Sequence, residues 1–196
     1  MQFLDRHKLT RFEFRFIVFG LPSNLKYRIN LIEAVVKTFC GRTDVCFLFI
    51  GSARQDFPQL FNEFSNLIPL GQLPERDVSV LLTLGHLMLA PFPDGISTKH
   101  GTVMAAFLHH LPVLTTFGPT GDEEFLKEDI VEATSYSAEL YCSAAQRLVN
   151  DTEHRKRLAE KAYFIYGSRY SFDRASNIYE KVLLSLNQNY GRNDLE

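Results

Sequence analysis

Short apolar runs alternate along this chain with segments whose apolar residues recur at helical spacing. The runs typical of buried strands cover residues 12–19, 45–50, 67–70, 86–91 and 112–116. The segments between them place apolar residues three and four apart, which is the period of an amphipathic helix. Strands and helices that alternate in this way build parallel sheets with both faces covered. The sequence therefore predicts an α/β fold, a Rossmann-like doubly wound parallel sheet with helices on both faces.

Helical spacing is clearest at residues 26–39, 57–64 and 98–109, and another helix begins after Pro74. After residue 121 the pattern becomes mainly helical, which predicts extra C-terminal helices at residues 123–125, 138–149, 152–166 and 173–186. We expect residues 1–186 to form a single domain, and residues 187–196 to form a disordered tail.

Charge excludes one broad class of function. The chain has 21 Lys and Arg against 23 Asp and Glu, with a net charge of −2. A nucleic-acid-binding protein needs a concentrated basic surface that displaces counterions from phosphates. We therefore expect no nucleic-acid partner.

The cysteines and the hydropathy of the chain indicate the cellular compartment in which the protein is expected. The 3 cysteines form no CxxC motif, and the patterns around Cys40 and Cys46 indicate small buried apolar residues, which fits a reducing, cytoplasmic setting. Residues 1–11 are too charged for a secretory signal, and no apolar run is long enough to span a bilayer. Membrane contact is therefore expected to be peripheral at most.

Three corners at predicted strand ends are candidate ligand sites, because ligands of doubly wound sheets bind at the carboxyl ends of strands. In the first, Gly20 ends a strand and Lys26 follows at the mouth of a helix. The second corner is Gly51-Ser52, whose backbone amides suit a ribose or a phosphate. Each corner has the alternative interpretation of an ordinary turn with an exposed side chain.

The third corner follows the strand at residues 86–91 and combines turn residues, hydroxyl groups and a cation ahead of a predicted helix. A helix N-terminus with such neighbours is suited to an anion. Alternatively, a hydroxyl here serves only as a helix cap. The candidate residues of this corner are Asp94, Gly95, Ile96, Ser97, Thr98, Lys99 and Thr102.

Two other chemistries lack support. His100, His109 and His110 have no Asp, Glu or Cys at ligand spacing, and neighbouring histidines on a helix point in different directions. No metal is therefore expected. A serine hydrolase is also unsupported, because no GxSxG motif is present.

The order of several motifs carries a family resemblance. Gly20 is followed six residues on by Lys26 and then by Leu-Ile-Glu-Ala at 31–34, and the segment 87–95 reads LMLAPFPDG. A Tyr-Ser-Phe-Asp motif precedes the last helix at 170–173. The series resembles the C-terminal domain of GT-B-fold glycosyltransferases, in particular the family 4-like group that uses nucleotide-activated sugars, and covers residues 14–184.

The resemblance implies a donor-binding domain of an enzyme that transfers a sugar from a nucleotide diphosphate, as in polysaccharide biosynthesis. It implies that Lys26 contacts the donor diphosphate, that residues 95–98 hold phosphate or sugar, and that Gly51-Ser52 lies near the nucleotide. The nucleotide-sugar is then a substrate, with no cofactor. The acceptor site belongs to an N-terminal domain, supplied in cis or in trans, so the isolated chain is expected to be inactive. No catalytic residue is identified.

The chain also departs from the family pattern. Leu21 stands where the family has an arginine, and Ser97 and Ala105 stand at the places of its acidic pair. These departures favour an alternative, a catalytically inactive interaction or scaffold module. A third hypothesis, a flavodoxin-like or response-regulator-like domain, would need an acidic cluster or a flavin loop at the strand ends.

Overall fold

The computed structural model describes residues 9–190, with side chains through residue 186. Six strands pair in parallel in the order β3-β2-β1-β4-β5-β6. The strands are β1 (Phe14–Phe19), β2 (Val45–Ile50), β3 (Leu67–Gly71), β4 (Leu87–Ala90), β5 (Val113–Thr116) and β6 (Glu132–Thr134).

Helices follow the strands and fill the connections. They are α1 (Pro22–Leu25), α2 (Ile29–Thr38), α3 (Pro58–Glu63), α4 (Glu75–Leu84), α5 (Gly101–Leu108), α6 (Glu123–Lys127), α7 (Ala138–Asn150), α8 (Thr152–Ile165) and α9 (Phe172–Tyr190). A 3₁₀ turn covers Arg54–Asp56, and a π-helical turn at Tyr166–Tyr170 joins α8 to α9.

Both faces of the sheet are buried. Successive side chains of a strand point to opposite faces. Phe16 of β1 therefore belongs to the core cluster that includes residues of α2, α3 and α7, while Ile17 belongs to the cluster that includes residues of α4, α5 and α8. β2 is buried along its whole length, as expected for a central strand between two helical layers. The predicted Rossmann-like doubly wound sheet, with extra C-terminal helices, is confirmed.

Several local predictions differ from the structure. β6 was not predicted, because three residues with one buried side chain leave no strand pattern. The helix predicted from residue 98 begins at Gly101, since the backbone before it bonds to other groups. Cys40, predicted to be buried, is exposed just beyond the end of α2, whereas Cys46 is buried as predicted.

The ends of the chain concern two further predictions. Two ranges on which predictions were made lie outside the described residues. They are residues 1–8 of the charged N-terminal segment and residues 191–196 of the predicted tail. The backbone of residues 187–190 continues α9. Within residues 9–190, no helix has both the length and the apolar character needed to cross a membrane.

We expect Phe47→Ala to lower the free energy of unfolding by about 3–5 kcal/mol, the usual cost of emptying a buried aromatic site. Phe47 is fully buried, and its ring stacks on Phe16 with centroids 4.6 Å apart. Urea denaturation measures the change. Phe164→Ala is the matched control, because Phe164 is 71% exposed and should change stability by less than about 0.5 kcal/mol.

Candidate functional site

The chain winds in two directions from the middle of the sheet. β1, β2 and β3 follow one another outward on one side, and β4, β5 and β6 do so on the other. The loops after β1 and β4 therefore diverge, and a crevice opens between the carboxyl ends of these two strands. This point of the fold holds a cleft of about 650 Å³.

The cleft, called the switch-point cleft below, has two walls. One is made by Gly20, Asn24, Tyr27 and Arg28, which come from the end of β1 and from α1 with the turn after it. The other is made by residues 92–94 and 99–102, which form the loop after β4 and the start of α5. The first wall carries a cation and an exposed phenol, and the second carries Lys99 and the N-terminus of a helix.

Arg28 is the most unusual residue of the cleft, because it is only 6% exposed. Its guanidinium carbon lies 4.8 Å from the centroid of the Phe92 ring, and its Nε donates to the Asn24 carbonyl oxygen at 3.0 Å. Burial lowers the pKa of Arg28 below its ordinary value, an effect opposed by the phenols of Tyr141 and Tyr136. Among the described residues, no carboxylate forms an ion pair with it.

His100 contributes a neutral ring to the cleft. The imidazole stacks on Phe92 with centroids 3.6 Å apart, and its Nδ1 accepts the Ser97 backbone N–H at 2.9 Å. Burial lowers the pKa of His100, and the charge of Arg28 lowers it further. With Nδ1 acting as an acceptor, the remaining proton of the neutral ring belongs on Nε2, which makes that atom a hydrogen-bond donor.

The loop after β4 is fastened to the loop after β5. The Thr98 backbone N–H donates to Oδ2 of Asp122 at 2.7 Å, and the Asp122 N–H donates to the Ile96 carbonyl at 2.8 Å. Thr120 donates to the Asp94 carbonyl from both its backbone N–H and its hydroxyl, each at 3.0 Å. These cross-loop bonds set the path of the loop, so its conformation depends on residues more than twenty positions later in the chain.

A second cavity, called the side pocket below, has a volume of about 300 Å³ and lies between these two fastened loops. It shares part of its lining with the switch-point cleft: Phe92, Pro93, Asp94, Lys99 and His100. The residues found only in the side pocket are Gly95, Ser97, Thr98, Thr120 and Asp122. The two cavities therefore adjoin along one wall.

The structure brings most of the predicted residues together. Gly20, Asp94, Lys99 and Thr102 line the switch-point cleft, and Gly95, Ser97 and Thr98 line the side pocket with Asp94 and Lys99. The others lie outside both linings: Lys26, Gly51, Ser52 and Ile96.

These four residues have other surroundings. Lys26 is exposed at the end of α1, and Ile96 is buried in the core. The Ser52 hydroxyl donates to the Gly20 carbonyl at 3.2 Å, and a side chain at Gly51 would meet that carbonyl oxygen at 2.8 Å. Gly51 and Ser52 therefore contact the backbone of Gly20, which itself lines the cleft. The ligand roles of all the predicted residues stay predictions.

Sequence reasoning missed Arg28 and Asp122. A signal for Arg28 was present, because it lies three residues after Leu25 and four before Ile32, both of which are buried. A charged residue at helical spacing on an apolar face indicates either a buried partner or a ligand. No local signal identified Asp122, since its contacts lie in a distant loop.

Comparison with known proteins gives similarity in structure alone. No protein-family model matches the sequence, and no curated protein matches it. The structure is similar to WaaG, a glycosyltransferase involved in lipopolysaccharide biosynthesis, at 15% identity and TM-score 0.68, over 90% of this chain and 49% of that one. It is also similar to HepE from Anabaena in complex with UDP and glucose, at 18% identity and TM-score 0.69, over 95% and 51% of the two chains.

The C-terminal domain of LpcC, a group 1 family glycosyl transferase from Francisella tularensis, matches at 14% identity and TM-score 0.67. That match covers 87% of this chain and 92% of the other. The chain therefore has the Rossmann-like fold of a C-terminal domain of GT-B glycosyltransferases. It spans about half the length of the larger proteins that it matches.

We expect Gly95→Ala to lower the free energy of unfolding by about 1–3 kcal/mol, the usual cost of a strained backbone position. Gly95 has φ of +94°, and a Cβ there would lie 2.7 Å from the Gly118 nitrogen. Gly101→Ala is the control, because a Cβ at Gly101 meets no atom within 4 Å. This control should be neutral or slightly stabilising. Equal urea midpoints for the two variants would show that the fastened loop tolerates a side chain at Gly95.

Proposed function

We propose that this chain is the nucleotide-sugar-binding half of a glycosyltransferase, with the donor diphosphate in the switch-point cleft. The observation that carries the proposal is the buried guanidinium of Arg28, which lines the cleft without a carboxylate partner among the described residues. A buried charge that lacks an opposite charge destabilises a protein. An anionic ligand in the cleft would supply that opposite charge.

Arg28 suits a diphosphate better than a surface lysine does. Its planar guanidinium presents several N–H donors in fixed directions, which matches phosphate oxygens. The Phe92 ring beneath it and the bond from Nε to the Asn24 carbonyl hold the group in one orientation. We therefore assign to Arg28 the diphosphate contact that the family resemblance implied for Lys26.

Other groups of the same cleft complete an anion site. Lys99 adds a second cation, and α5 begins at Gly101 with the positive end of its dipole beside it. His100 supplies a neutral donor. In glycosyl transfer the bond between the sugar and the diphosphate breaks, and negative charge develops on the leaving phosphate. Fixed cations and helix amides around that phosphate would stabilise the charge without a metal ion.

Transfer itself needs an acceptor and its binding site. The larger structural neighbours are about twice the matched length, which supports a second domain as the partner of this chain, in cis or in trans. On this proposal the chain alone binds the donor and transfers little or no sugar. A nucleotide-sugar acts as substrate, and no further cofactor takes part.

An interaction module remains the second candidate. The apolar face of α9 favours it, since Phe172 is 85% exposed and Tyr179 and Leu183 are also exposed. Leu21 in place of the family arginine points the same way. The two candidates differ in their response to nucleotides, because a scaffold has no reason to bind a diphosphate.

Calorimetric titration with UDP, GDP and ADP at millimolar concentration tests the proposal. We expect at least one nucleotide to bind, and Arg28→Met to weaken its affinity about tenfold to a hundredfold, since a hydrogen bond to a charged group contributes ~1.5–3 kcal/mol. The same substitution should leave the free energy of unfolding unchanged or raise it, because it removes a desolvated charge.

Lys26→Met is the matched control: it removes one cation that is exposed and lies outside both cavities. It should change nucleotide affinity by less than about twofold, as expected for a screened surface charge. An absence of heat from all three nucleotides would favour the interaction module. If Lys26→Met weakens nucleotide affinity and Arg28→Met has no effect, the diphosphate contact is made by Lys26 and not by Arg28.

A further inference from the structure

The backbone beside Arg28 is held by a residue from a distant part of the chain. Arg28 lies in the turn between α1 and α2, and the peptide group that joins it to Tyr27 is bonded at both ends. The N–H of this group, which belongs to Arg28, donates to the Leu25 carbonyl oxygen at 2.8 Å. Its carbonyl oxygen, which belongs to Tyr27, accepts from the hydroxyl of Tyr136 at 2.8 Å. Because a peptide group is planar, bonds at both ends fix its orientation.

The Tyr27 carbonyl has no backbone partner. It lies between two helices, and no backbone N–H of residues 9–190 donates to it. Carbonyl groups at the ends of helices depend on water or on side chains for their hydrogen bonds. The hydroxyl of Tyr136 therefore supplies a bond that neither helix provides.

Tyr136 approaches the turn from a well-packed element. It lies in the bend between β6 and α7, and α7 packs against α2. In the first turn of α7, Tyr141 is fully buried and its hydroxyl donates to the Leu114 carbonyl oxygen at 2.8 Å. Burial raises the pKa of Tyr136, an effect opposed by the charge of Arg28, so the phenol keeps its proton and acts as a donor.

The guanidinium of Arg28 extends from the peptide group that Tyr136 fixes. Its Nε donates to the Asn24 carbonyl oxygen at 3.0 Å, and its carbon lies 4.8 Å from the centroid of the Phe92 ring. Both contacts require the Arg28 Cα to stay in place, so the bond from Tyr136 supports both of them. A binding group that is ordered before its ligand arrives loses less entropy on binding.

We propose that Tyr136 is a positioning residue of the switch-point cleft, which holds the guanidinium of Arg28 in its orientation through the carbonyl of Tyr27. Tyr136 lines neither the cleft nor the side pocket, so it acts on a ligand only through Arg28. Its effect on ligand affinity rests on the proposed function. The positioning itself is a property of the chain without a ligand.

Tyr136→Phe tests the positioning directly, because it removes the hydroxyl and keeps the ring. Solvent exchange of the Arg28 Nε–H is measured by NMR on a chain with isotope-labelled arginine, and the resonance is identified by its loss in Arg28→Met. We expect exchange to become about threefold to tenfold faster, the usual effect of losing one neutral hydrogen bond on a local opening equilibrium.

Tyr163→Phe is the matched control. Tyr163 is 43% exposed against 41% for Tyr136, and it lines neither cavity. Its substitution should leave the exchange of the Arg28 Nε–H unchanged. If Tyr136→Phe also leaves that exchange unchanged, the positioning role is overturned, whether or not the chain binds a ligand.

A double-mutant cycle tests whether Tyr136 acts through Arg28. The calorimetric probe is the tightest-binding of UDP, GDP and ADP. We expect Tyr136→Phe to weaken its affinity about threefold to tenfold in the otherwise unsubstituted chain, the usual effect of loosening one binding side chain. In the Arg28→Met background the same substitution should weaken affinity by less than about twofold, because the guanidinium is already absent. Equal weakening in both backgrounds would contradict the inference.

Failure of the proposed function is recognisable in the unsubstituted chain, which would then bind none of the three nucleotides. The exchange measurement decides the positioning role in that case, and also if Arg28→Met binds too weakly for the cycle. A chain that binds a nucleotide but responds to Tyr136→Phe in neither measurement would refute the inference about Tyr136 alone.

Discussion

Coverage of both faces of a parallel sheet is the constraint from which the other features of this structure follow. Parallel strands need long crossovers, and the helices in those crossovers must bury the apolar residues of each face. β1 pairs with β2 on one side and β4 on the other, so the chain winds away from β1 in both directions. The loops after β1 and β4 must diverge, and a cleft remains at the centre of the sheet edge.

Electrostatics adds a second constraint at that cleft. The guanidinium of Arg28 is buried against Phe92 and has no carboxylate partner among the described residues, which is unfavourable. It also lies close to Gly20, where a Cβ would be 3.1 Å from its Nη2. The two cavities differ in charge, because Arg28 lines only the switch-point cleft and Asp122 lines only the side pocket, whereas Asp94 and Lys99 line both.

The sequence predicted the strands from β1 to β5 because their apolar runs are long enough to leave a pattern, and it missed β6, which has only three residues. Turn residues and hydroxyls accumulate between Asp94 and Thr102, and most of the residues predicted there line one of the two cavities, whereas Ile96 lies in the core. Sequence reasoning named Lys26, which lies outside both cavities, and did not identify Arg28, which lines the cleft. Motif spacing counts positions along the chain and does not resolve the turn between α1 and α2.

Local pattern alone predicted the class of fold and the edge of the sheet where the two cavities lie, because hydrophobic periodicity and turn residues act over a few neighbouring positions. Tertiary structure alone decided that Arg28 lines the cleft and that Asp122 lines the side pocket. Arg28 enters the cleft through its packing on Phe92, and Asp122 reaches Thr98 across twenty-four positions of sequence. Such contacts depend on how separate loops approach one another, and that approach is set by the packed sheet rather than by neighbouring residues.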